Sequence, residues 1–166
     1  MNFNFKESLA QGQANASVVK KNQSELNEIY NELTETLSEH FGFEVSLYDR
    51  PEYKGVDSAN SLAALGAAFQ AWANPERVAT GYTILSLGTD RANVDKVTLF
   101  RYKEGDDVYP VTVLLNRDKV LCYSQNEFAD TINKALLNSR LNLELIDFKT
   151  KVQEALSESS EDPEPA

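Results

Sequence analysis

Apolar residues along the chain recur with two periods, and the period changes in step with the turn residues. Between Ser24 and Phe41, Leu26, Ile29, Tyr30, Leu33, Leu37 and Phe41 follow one another at spacings of three and four. At about 100° per residue they form one stripe, which predicts an amphipathic helix. Gly42 can end it in the left-handed conformation, and His40 lies in its last turn, where partial positive charge suits the helix dipole. A helix-end surface residue is therefore the ordinary reading of the single histidine. Upstream, residues 1–22 read as a loosely ordered arm. Phe3 and Phe5 alternate with Asn2 and Asn4 as in a short strand, and Gln11 to Ala16 read as loop. A helix starting near Ser17 would let Lys21 pair with Glu25 one turn on.

After the helix the alternation shortens to two. Phe43, Val45 and Leu47 against Glu44, Ser46 and Tyr48 predict a half-buried strand, broken by Asp49-Arg50-Pro51. Asp57 or Ser58 can cap a second helix over Ala59 to Ala73, whose Leu62, Leu65, Phe69 and Trp72 form a seam that core packing explains. Tyr82 to Leu87, Val97 to Lys103, Val108 to Leu115 and Val120 to Tyr123 then read as strands joined by short polar turns, an antiparallel meander. Pro110 cannot donate to a ladder, so its strand is at an edge or carries a bulge there. Ser124 to Glu127 has capping-box form and opens a helix reaching about Asn138. Leu141, Leu145, Phe148, Val152 and Leu156 fit a further helix, with a strand before Phe148 as the competing pattern. Ser157 to Ala166 reads as a disordered acidic tail. The expected fold is one α+β domain over 23–156: a meander of four to five strands packed by three to four helices.

Composition narrows the function classes. The 166 residues are 42% hydrophobic, enough for one core. Asp plus Glu number 26 against 16 Lys plus Arg, a formal charge of -10. Such a chain is repelled by nucleic-acid backbones and anionic membranes, and attracts basic proteins or cations. A single cysteine, Cys122, excludes a disulfide framework and suits a reducing compartment. Met1 to Glu7 lacks the apolar core of a secretory signal, and no run nears the roughly 20 apolar residues of a membrane span. The expected setting is the cytoplasm.

Catalytic signals are weak. Gly105-Asp106-Asp107 resembles the metal-binding turn of viral RNA polymerases, but that chemistry needs a further carboxylate and a basic nucleotide channel. Gly and Asp are also what a hairpin turn demands. Asp90, Asn93 and Asp95 do not match calcium-loop spacing. Cys122 within a strand reads as a buried inert thiol, and pairing it with His40 has no support in the pattern. No metal or cofactor is expected, and no catalytic residue is nominated.

What stands out is a row of one sign. Glu25, Glu28, Glu32, Glu35 and Glu39 share an arc of roughly 80° on the same helix, and no Lys or Arg lies between Glu25 and Glu39. Each neighbouring like pair costs a few tenths of a kcal/mol. An ordinary solvated face explains such a row. So does docking on a basic protein surface, in the manner of nucleic-acid mimics or of immunity proteins on nucleases, with Asp106 and Asp107 extending it. The expected function is thus a non-catalytic binding or inhibitory protein with no direct nucleic-acid or membrane contact. Two alternatives stand beside it: an assembly protein that oligomerises through an apolar patch such as the Trp72 helix, and a small-molecule enzyme whose site only coordinates reveal.

Overall fold

The stripe that predicts the first helix is its buried face: Leu26, Ile29, Leu33, Leu37 and Phe41 all lie in the core of α1, which runs from Phe5 to Phe41. These positions come from a computed structural model that describes residues 4–54 and 78–160. Gly42 ends α1 at φ 78°, its N–H donating to the Ser38 carbonyl at 2.9 Å. The expected start near Ser24 is corrected to Phe5. Residues 5–23 lack a core-facing stripe, but Ala, Gln and Ser extend a helix already nucleated downstream, and extension needs no new nucleus. Residues 4–18 are exposed throughout, so these first turns lie outside the core.

Five strands follow in meander order: β1 (Ser46–Tyr53), β2 (Ala79–Gly88), β3 (Val97–Gly105), β4 (Val108–Leu115) and β5 (Asp118–Cys122), each antiparallel to the next. β1 begins and ends later than its alternation predicts, and it absorbs Asp49-Arg50-Pro51. Pro51 is tolerated because β1 is an edge strand. Pro110 lies in an interior strand, and the bulge alternative holds: the β3–β4 register shifts between Lys103 and Gly105, beside Pro110.

Two helices, α2 (Gln125–Leu136) and α3 (Ser139–Ser160), follow among the described residues. Ser124 caps α2 by accepting from the Glu127 N–H at 3.3 Å, while the Glu127 carboxylate accepts from the Tyr123 N–H at 2.6 Å. The return bond of the capping box thus goes one residue upstream. α3 takes the helical alternative, burying Leu141, Leu145, Phe148 and Val152 and running on through Ser160, past the expected start of the tail at Ser157. The predicted helix 59–73 with its Trp72 seam, and the tail from 161, lie outside the described residues.

The fold is α+β: among the described residues, one antiparallel sheet and three helices surround a single core. Lateral rows show how the two sheet faces differ. Thr83, Tyr102, Val113 and Val120 face the helices, whereas Arg50, Ile84, Arg101, Leu114 and Lys119 form a row on the opposite face. Lys103 joins that outer face two residues from Arg101. Arg50, Arg101, Lys103 and Lys119 therefore share the sheet face turned away from α1. Glu52 answers one of them, its carboxylate 2.6 Å from the Arg101 guanidinium, and that hydrogen bond holds the Glu52 carboxyl below the usual carboxylate range. None of the helices among the described residues is long and apolar enough to cross a membrane.

Candidate functional site

The five glutamates divide into two groups. Glu25 is half-buried and already answered: Lys21 lies 3.6 Å from its carboxylate. The same carboxylate faces the Tyr109 phenol, which burial and this neighbouring charge push up to about 12. Glu28 is exposed and accepts from the Gln125 side chain at 3.1 Å, while Gln125 also donates to the Glu25 carbonyl at 3.1 Å. Through Gln125 the first turn of α2 is pinned to α1. Glu32, Glu35 and Glu39 are exposed and enter no ion pair among the described residues. Lys20, although nearby in sequence, enters none either. Three to four carboxylates thus remain unneutralised, about 4.5–6 Å apart along the axis.

Asp106 and Asp107 lie at the exposed β3–β4 tip, and the structure brings them to the same helix. The Asn22 side chain donates to the Asp107 carbonyl at 2.8 Å, one turn before Glu25. Asn22 continues the apolar stripe one turn before Leu26, so the acidic tip packs against α1 near the N-terminal end of the row. Gly105 makes this tip possible, since a Cβ there would meet the Tyr109 carbonyl oxygen at 2.9 Å.

The other candidates fall in ordinary surroundings. His40 is exposed and rests edge-on against Phe41, ring centroids 5.5 Å apart. Cys122 is fully buried, its sulfur 3.3 Å from the Thr131 hydroxyl, and burial raises its pKa. Asp90 accepts from the Tyr48 hydroxyl at 2.7 Å. No group of three potential metal ligands occurs among the described residues.

A second constellation escaped the sequence pattern. On the other flank of α1, Gln23, Asn27, Asn31 and Thr34 line a cleft of about 430 Å³ against Asp49 and Leu47 of β1, Leu85 of β2, and Tyr102 and Glu104 of β3. Tyr30 forms part of its wall, with its ring 6.3 Å from that of Tyr102. Neither Asp49 nor Glu104 enters an ion pair among the described residues. Burial, then the Asp49 charge, raises the Glu104 carboxyl above its usual range. Burial likewise raises Tyr30 and Tyr102. The one available signal was alternation: Asp49 and Glu104 fall on the inward parity of their strands, but Asp49 sat in a presumed break.

A raised carboxyl pKa means that the folded state holds the Glu104 proton more tightly than the unfolded chain does. Its contribution to stability is complete below the unfolded value and is lost as pH rises through the folded one. Glu104→Gln is therefore expected to raise the Tm at pH 7, with an advantage that shrinks as the pH falls through the raised folded value and is gone below about 4.3. Thermal scans of both proteins across pH 3–8 check this, and a variant less stable at pH 7 would contradict it.

No family model, curated protein or solved structure matches the chain.

Proposed function

We propose that this chain is a non-catalytic binding or inhibitory protein that engages a basic protein surface, such as that of a nucleic-acid-binding protein or nuclease. The contacts would come from Glu28, Glu32, Glu35 and Glu39, with Glu25, Asp106 and Asp107 at one end. One observation carries this reading: a one-signed helix face whose middle and lower turns meet no counter-charge among the described residues. Repulsion along the row costs a few tenths of a kcal/mol per pair. A basic partner removes that cost and gains charge-assisted hydrogen bonds. Arg50, Arg101, Lys103 and Lys119 lie on the outer sheet face, away from the glutamates. A cytoplasmic setting suits the single free thiol.

The test separates the row from net charge. Glu28→Lys/Glu32→Lys/Glu35→Lys is compared with Asp130→Lys/Glu154→Lys/Glu158→Lys, an equal charge change at exposed positions elsewhere. Basic proteins captured from lysate at low salt, and released at moderate salt, should be lost by about tenfold or more in the first variant alone. Equal capture by the folded row variant sinks the proposal.

The first turns of α1 favour a second reading, assembly of two copies. Leu9 is 67% exposed, and with Gly12 and Ala16 it follows a three–four spacing along one face of the helix. No charge occurs from Ser8 to Val19, so two copies can meet there without repulsion. A salt-insensitive dimer in sedimentation, dissociated by Leu9→Gln, supports assembly; a monomer at every concentration removes it.

A further inference from the structure

The helices bury their apolar sides against one face of the sheet, among Leu85, Phe100, Tyr102 and Val113. The other face stays open at Arg50, Lys103, Lys119 and Leu121, all of them exposed. Arg50, Arg101 and Lys119 form one lateral row across β1, β3 and β5, with half-buried Ile84 and Leu114 between them on β2 and β4. Arg101 meets an internal acid, Glu52. Arg50, Lys103 and Lys119 enter no ion pair among the described residues. Near the β2–β3 loop the charges cancel, because Asp90 accepts from the hydroxyl of Tyr48, on whose ring Lys96 rests at 3.8 Å. The excess positive charge on this face is therefore that of the lateral row and Lys103.

The spacing of the row says what fits it. Neighbouring strands are about 4.8 Å apart, so cations on alternate strands repeat about every 9.6 Å and span about 19 Å. A helix laid along the row presents residues seven apart about every 10.5 Å, on nearly the same face. Glu32 and Glu39 stand in that relation, and so do Glu28 and Glu35. The α1 glutamates thus match the cations to about 1 Å per step. A nucleic-acid duplex fits less well, since its phosphates follow one another about every 3.4 Å along each strand. It would also continue past the patch, over a chain of formal charge -10.

We propose that the open sheet face takes the glutamate row of a second copy of this chain. This rests on the reading that the row engages a basic protein surface, and it names that surface. The glutamates project from the side of α1 away from the sheet, and the cations from the sheet face away from α1. Two copies cannot form both contacts with each other at once, so the contact is head-to-tail. Each pair leaves one row and one sheet face unused, and copies add into an open chain or a ring. At physiological salt the Debye length is about 8 Å, so the like net charges are screened while the matched ion pairs at contact are not.

Sedimentation of the purified full chain at low salt should show a mass that rises with concentration past that of two copies, and moderate salt should return it to one. The row variant Glu28→Gln/Glu32→Gln/Glu35→Gln and the face variant Arg50→Gln/Lys103→Gln/Lys119→Gln should each weaken self-association by about tenfold or more. Unchanged thermal unfolding shows that each is folded. Their mixture is the decisive sample. The sheet face of the first and the row of the second are intact, so one contact forms and growth stops at a pair of unlike copies. A wild-type chain that stays monomeric at low salt, or that forms a closed dimer at every concentration, overturns the proposal. So does a mixture of folded variants that gives no pair, or association lost in the face variant and kept in the row variant. Capture of basic proteins from lysate by a chain that stays monomeric would overturn this pairing alone and leave the reading of the row standing.

Discussion

Phe128→Ala is expected to destabilise the protein by about 3–5 kcal/mol. Phe128 is fully buried on α2 and is held edge-on by two rings, Tyr30 of α1 at 6.1 Å and Phe100 of β3 at 6.2 Å. Through these two rings it joins α1, the sheet and α2. Truncation removes the transferred area and leaves a cavity that three different elements would have to move together to fill. Close-packed interiors relax only partly, so most of the cavity term persists. For a chain of this size each kcal/mol lowers Tm by about 2–4 °C, so a fall on the order of 10 °C is expected. Urea unfolding of both proteins measures it directly. A loss below about 1 kcal/mol would mean that Phe128 is not the hinge of the core.

Gly105→Ala is the second large effect, and its mechanism is the reverse. The added Cβ would sit 2.9 Å from the Tyr109 carbonyl oxygen and 3.1 Å from the Pro110 nitrogen, both backbone atoms of β4. Backbone cannot swing aside as a side-chain end can, so the hairpin must open. Overpacking of this kind costs about 1–3 kcal/mol. Gly12 supplies the contrast within one experiment: a Cβ there meets nothing within 4 Å, in an exposed helix. Gly12→Ala should therefore stabilise by about 0.5–1 kcal/mol. Opposite signs from one substitution type, read by equilibrium unfolding, would separate close approach from helix propensity. Equal signs would contradict the geometry of the tip.

The acidic row and the cleft differ in how far they could be read from the chain. Glu25 to Glu39 are neighbours because a helix repeats every 3.6 residues, so their common face follows from local geometry alone. Whether they are free did not. Lys21 answers Glu25 as a one-turn neighbour must be able to, but Gln125 reaches Glu28 across 97 positions. The Asn22 bond to Asp107 spans 85 positions and brings the β3–β4 tip beside α1. Asp49 and Glu104 illustrate the limit further. Each is an unremarkable acid in its own segment, and only the pairing of β1 with β2 and of β2 with β3 lays both against the same flank of α1.

Elements with a local cause were visible in the order of residues. The stripe from Leu26 to Phe41, the Gly42 stop, the Ser124 cap and the alternation of the meander each rest on periodicity or on a hydrogen bond within one turn. The chain by itself determined those, along with its α+β class and its acidity. Tertiary structure decided the start of α1, because the first turns, from Phe5, are exposed and carry no stripe that the core buries. It decided the fate of Pro51, which is tolerated only because β1 lies at the sheet edge. It also decided which carboxylates meet a counter-charge and which do not, since that depends on register between strands and on helix docking, interactions that carry no signature in the spacing of residues along one segment.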